Sequence, residues 1–112
     1  MNMFNFNAVV KEQSERCLSM LCNKGIEYAP NASMENDTSD RLGHFKKAAA
    51  IMSSTPKIAL LGMLSKHIVS VSDMCTDKKE YPIEKWDEKI TDSINYLLIL
   101  RAMVEEEKNG QN

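Results

Sequence analysis

The sequence holds no CxxC pair, no glycine-rich phosphate loop, no HExxH and no Gly-x-Ser-x-Gly elbow. Those absences remove the usual sequence signals of a zinc site, a P-loop, a zinc protease and a serine hydrolase. The three cysteines, Cys17, Cys22 and Cys75, are an odd number, which excludes a closed disulfide framework and points to reduced, partly buried thiols in a cytoplasmic protein. Neither sign of charge dominates: 14 basic side chains meet 16 acidic ones, a net charge of −2. General nucleic-acid binding, which needs a basic stripe, is thereby excluded. The N-terminus MNMFNFNAVVKEQSERC lacks the basic segment and unbroken apolar run of a signal peptide. The longest unbroken apolar run, Tyr96 to Leu100, falls far short of the roughly 20 residues that span a bilayer. A soluble cytoplasmic chain with no membrane partner is the expectation. Strand-type alternation and internal repeats are also missing.

What remains is helical periodicity, cut by three prolines and four glycines in 112 residues. That length suits one domain. A first helix is expected over about 6–22, with Phe6, Val10, Cys17, Met20 and Leu21 on one face and Lys24-Gly25 as its stop. The segment 25–38, Gly25 followed by IEYAPNASMENDT, reads as a long loop rich in Asn and Ser, and loops of that length are commonly functional. Ser39 reads as the N-cap of a second helix over about 40–53, carrying Leu42, Phe45, Ala48, Ala49 and Met52. Thr55-Pro56 restarts the chain as a third helix, 56–75, with an apolar stripe of Leu61, Leu64, Ile68, Val71 and Cys75. A second strip on that helix carries Leu60, Met63, Met74 and a half-buried His67. Pro82 opens a fourth helix, 83–106, whose main face is Ile83, Trp86, Ile90, Ile94 and Leu97. The fold class is all-α, a compact four-helix bundle.

One strip of the fourth helix does not fit a simple amphipathic plan. Glu88, Asp92, Asn95, Ile99 and Met103 share a side, because steps of three or four residues return to the same face. Two carboxylates at i,i+4 can share a hard divalent cation such as magnesium, and Asn95 can orient a ligand or water. The structural alternative is a solvated Glu88, a paired Asp92 and an Asn95 bonded across the bundle. The third helix places Lys66, Ser70 and Asp73 on one strip beside His67; Lys66 and His67 could oppose those acids or hold a phosphate, or simply fill ordinary core and surface positions. The second helix brings Arg41, His44 and Lys47, an anion site near a helix start or an ordinary charged face. Tyr28, or Trp86, offers a ring to stack on a base.

The ordered elements Glu27-Tyr28…Pro30, Asp40-Arg41-Leu42…Phe45, Leu64-Ser65-Lys66-His67 and Glu88…Asp92-Ser93-Ile94-Asn95-Tyr96 resemble small phage and prophage proteins of the nucleotide-modification-associated type. More distantly they resemble the all-α nucleotide pyrophosphohydrolases of the MazG type. The likeness covers most of the chain after about Gly25. It implies an inter-helix cleft for a nucleotide and, in the enzymes, an EExxE and an ExxD cluster that hold magnesium at the phosphates. Asp92 matches the final acid of ExxD, but Lys89 stands three positions before it, Glu88 is one residue out of register, and no EExxE exists.

Three functions follow as expectations. The first is a phage-type binder in which Tyr28, Arg41, His44, Lys66, His67, Asp92, Asn95 and Tyr96 surround a nucleotide-type ligand, sequestering a nucleotide signal of host defence. The second is a magnesium-dependent nucleotide pyrophosphohydrolase with Asp73, Glu88 and Asp92 on the metal. The third is a protein-interaction module with no small ligand. A homo-oligomer is expected in each case, since apolar residues such as Leu98 and Met103 would be left seeking partners.

Overall fold

A computed structural model describes residues 1–28 and 39–110, the side chains of 23–28 excepted. Every element among the described residues is a helix: α1 (Met3–Tyr28), α2 (Gly43–Ile51), α3 (Pro56–Thr76) and α4 (Ile83–Lys108). The all-α expectation therefore holds, and no strand occurs among the described residues. The chain divides into two compact units, Met1–Ser39 and Asp40–Asn112.

In the first unit, Asn2 starts α1 by accepting from the Asn5 amide through its side-chain oxygen at 2.8 Å, an N-cap of the usual kind. The helix then passes the expected stop at Gly25 and ends at Tyr28. A glycine inside a helix costs only about 1 kcal/mol relative to alanine, so it ends a helix only when its neighbours also favour leaving. The rest of the 25–38 loop lies outside the described residues. Of the expected α1 face, Cys17 is buried and Leu21 half-buried, while Phe6, Val10 and Met20 are exposed. Cys17, Cys22 and Cys75 are free thiols, and only Cys17 is buried.

The second unit is a three-helix arrangement in which α3 packs against both α2 and α4. At the start of α2 the structure replaces the expected Ser39 cap. Asp40 Oδ1 accepts from the Leu42 amide at 2.9 Å and its carbonyl from Gly43 at 3.0 Å, so the helix proper begins three residues later than expected. At the other end Ser53 takes a left-handed conformation, φ 50°. The Ser53 and Ser54 amides then reach back to the carbonyls of Ala50 and Ala49, which closes α2 as a Schellman turn. Two residues later Thr55 Oγ1 accepts from the Ile58 amide, with Pro56 at the first helical position, as its sequence announces. The turn into α4 is held by Tyr81, whose hydroxyl donates to Asp77 and whose ring meets Trp86 edge-on at 6.2 Å.

The core is Leu42, Phe45, Leu60 and Met103, with Met63, Tyr96, Ile99 and Leu100 packed around it. Leu60 has no exposed surface at all. The expected α3 stripe holds in part: its Leu64 is buried with Ala59, Leu60 and Met74 and its Val71 is half-buried, but Leu61, Ile68 and Cys75 face outward. On α4 the expected Trp86, Ile90 and Ile94 are half-buried, whereas Ile83 and Leu97 are exposed and Thr91, Ser93, Asn95 and Met103 are the buried residues. Both helices carry apolar residues on more than one face, so periodicity alone allows two orientations. The inward one is selected by what α2 and the opposing helix can cover. Because α3 is apolar on both sides, it is long and apolar enough to cross a membrane by length and composition, which the reading of unbroken runs did not show.

Candidate functional site

α3 and α4 run antiparallel: Lys57 near the start of α3 meets Glu107 near the end of α4 at 3.0 Å, and His67 further along α3 faces Asp92 earlier in α4. The two helices therefore share a seam with two different ends. One end is the core described above. The other begins where His67 and Asn95 replace aliphatic side chains on strips that otherwise carry Leu60, Met63, Ile99 and Met103.

At this second end Asn95 is buried and Asp92 half-buried on the strip that continues to Ile99 and Met103, with Glu88 exposed at its head. His67 Nδ1 lies 3.8 Å from Asp92 Oδ2, within ion-pair range for a charged imidazole but too long for a hydrogen bond. His67 Nδ1 and Asn95 Oδ1 are both buried with no hydrogen-bond partner. Asn95 is only 6% exposed, so its carbonyl oxygen cannot recover its bond from bulk solvent. Leaving such a group unsatisfied costs on the order of 1–3 kcal/mol. The other buried polar groups on α4 differ: Ser93 Oγ donates to the Lys89 carbonyl at 2.8 Å, and Thr91 is engaged as well.

An aromatic row completes the site. The Tyr96 ring sits 5.1 Å from His67 at a 41° tilt and meets Phe45 edge-on at 6.4 Å. Phe45 in turn meets His44 edge-on at 5.9 Å. Tyr96 thus belongs to both ends of the seam, packing on the core at Phe45 and against the tilted His67 ring.

The structure gathers four of the expected site residues, His67, Asp92, Asn95 and Tyr96, and separates the others. Lys66 is exposed although His67 beside it is not, because consecutive helical residues point about 100° apart. His44 is exposed and reaches the group only through Phe45. Arg41 is exposed at a helix start whose Leu42 amide is already taken by the Asp40 carboxylate. Asp40 also holds Lys46 at 2.7 Å, and Lys46 reaches Glu106 on α4 at 2.9 Å. The hydrogen bond from Lys46 keeps the Asp40 carboxyl below its ordinary value, and the bond to Asp40 raises Lys46. An incoming anion would meet that carboxylate first. The Tyr28 side chain lies outside the described residues.

The magnesium set is not assembled. Asp73 and Glu88 are exposed, and among the described residues no three His, Cys, Asp or Glu side chains stand together as metal ligands. Thr91 is the buried site neighbour that the sequence reading passed over; its i,i+4 spacing to Asn95 was the available signal.

No protein-family model matches the chain, and neither a curated protein nor a solved structure matches it.

Proposed function

We propose that the second unit is a binding module for a small nucleotide-type ligand, held at the polar end of the α3–α4 seam and not hydrolysed there. The observation that carries this reading is the pair of buried atoms without partners, His67 Nδ1 and Asn95 Oδ1. Asn95 Oδ1 is an acceptor, and His67 Nδ1 becomes one when the neutral ring carries its proton on Nε2. A ligand that satisfies both must present N–H or O–H donors, as the edge of a nucleobase does. The Tyr96 ring beside His67 supplies an apolar neighbour for such a base. On this reading the base is recognised in the seam, and the phosphate extends out of it.

The pyrophosphohydrolase alternative requires several carboxylates around one magnesium ion. The scatter of Asp73, Glu88 and Asp92 favours the binder instead. A MazG-like ancestry that kept a base site without the acidic cluster, and a phage protein that sequesters a host nucleotide signal in the cytoplasm, are proposals of the same reading.

Thermal unfolding across bases, nucleosides, nucleotides and dinucleotides, each with and without magnesium, tests it. A ligand at a hundred times its Kd adds about 2.7 kcal/mol, several degrees for a chain of this size. The expected result is a metal-independent shift that persists when the phosphate is removed from the ligand. A shift requiring magnesium would restore the hydrolase reading. No shift with any member of the panel would overturn the proposal.

A further inference from the structure

The outer face of α3 has no counterpart on the other helices of its unit. Ile58, Leu61, Ser65, Ile68, Val69 and Ser72 form an exposed strip that carries no charge over about four turns. Leu61 and Val69 are 59% and 60% exposed. The opposite side of the same helix already packs on α2 and α4, so within its own unit a helix that is apolar all round is covered on one side only. Such a helix is normally covered on both.

The charges at the margin of the strip indicate what covers it. Lys66 and Asp73 lie along the same edge, seven residues apart, both exposed, a spacing of about 10 Å along the axis. Neither has an ion-pair partner among the described residues. When two identical helices pack antiparallel about a two-fold axis, the same edge of each faces the other and positions pair in reverse order. An axis passing near Val69 and Ser70 sets Lys66 of each copy against Asp73 of the other, two reciprocal ion pairs, with Val69 near its own symmetry mate. A parallel pairing would instead set this edge against the apolar edge of Ile68 and Cys75, leaving both charges unmatched. Gly62, Ser65 and Ser72 keep the strip shallow enough for close approach.

We propose that a second copy of this chain covers the outer face of α3, packed antiparallel about a two-fold axis at Val69–Ser70, with Lys66 and Asp73 as the reciprocal pairs that set its register. The polar end of the seam lies on the other side of α3, so this dimer and the ligand reading stand independently.

Sedimentation velocity on the full chain is the first test, and it expects a dimer. Val69→Glu yields a monomer whose helical circular dichroism is unchanged. Asp73→Lys, which turns both pairs repulsive, weakens the dimer about tenfold, the effect of two exposed ion pairs reversed. The double change Lys66→Asp with Asp73→Lys restores it, which a merely structural role of either residue would not do. With Cys17, Cys22 and Cys75 changed to serine, Val69→Cys crosslinks to itself under mild oxidation. A wild-type monomer at high concentration, or a dimer indifferent to the charge swap, overturns the proposal. So does a monomer that co-sediments with phosphatidylcholine–phosphatidylglycerol vesicles, which would assign the face to lipid.

Discussion

The two ends of the α3–α4 seam are built on the same helical strips, yet they differ in what they bury. At one end Leu60, Met103, Phe45 and Leu42 interlock with Ile99 and Leu100. At the other, about two turns along, the same strips present His67, Asp92 and Asn95. The first end stabilises the fold, since each fully buried aliphatic or aromatic side chain contributes roughly 1.5–3 kcal/mol. The second end costs stability through its two unpartnered atoms. That asymmetry is what locates the candidate site.

Breaking the apolar end should have the largest effect. Leu60→Ala is expected to lower stability by about 2–5 kcal/mol, read as a drop in the denaturant midpoint at unchanged slope. The polar end should respond with the opposite sign. Asn95→Leu, which removes the unsatisfied amide at similar volume, is expected to raise stability by about 1–3 kcal/mol while abolishing any nucleotide-dependent melting shift. A destabilised Asn95→Leu variant would show that water or a neighbour already satisfies the amide, and the two ends would then be energetically alike.

Smaller changes sharpen the contrast. Thr55 caps α3 beside the apolar end through Ile58; Thr55→Ala should cost about 1 kcal/mol and leave ligand binding intact, as measured by melting with and without nucleotide. The smallest effect belongs to Asp40. Its carboxyl is held below its ordinary value chiefly by the Lys46 hydrogen bond. That contribution is present above the unfolded-state value, about 3.9, and is lost as pH falls through the lower folded value. Because both partners are well exposed, Asp40→Asn should cost less than about 1 kcal/mol near neutrality. Its melting temperature should also fall less than that of the wild type between pH 5 and pH 3.

Much of this organisation is legible from residue order, and the illegible parts share a cause. Thr55-Pro56 and Pro82 mark the starts of α3 and α4 because caps and prolines act locally, within one turn. Leu42, Phe45 and Ala49 read correctly as buried, with Ala48 half-buried, whereas Met52 at the end of the same expected face is exposed. Which side of α3 or α4 turns inward is a tertiary choice. Leu61, Ile68 and Cys75 form as regular a stripe as Leu60, Leu64 and Met74, and only the opposing helices decide between them. The end of α1 was misread because Gly25 is a permissive residue and not a command. At the site, His67, Asp92, Asn95 and Tyr96 were legible as polar or ring-bearing interruptions of apolar strips. Arg41, Lys66 and Asp73 were grouped with them by chemistry, and the helices point them outward; Glu88 shares the strip of Asp92 and Asn95 but is exposed at its head.

Trp86 gives the seam an optical handle. It is the sole tryptophan in the chain, half-buried at the start of α4 and in edge contact with Tyr81. It lies six residues ahead of Asp92, on the polar side of the seam, whereas Phe45 sits with the hydrophobic core and Tyr96 between the two. Emission excited at the indole band therefore follows the polar half of the molecule, while far-ultraviolet dichroism follows all four helices at once. If the two signals part company as denaturant is added, the polar half opens first, and the protein carries its own reporter for that event without a label.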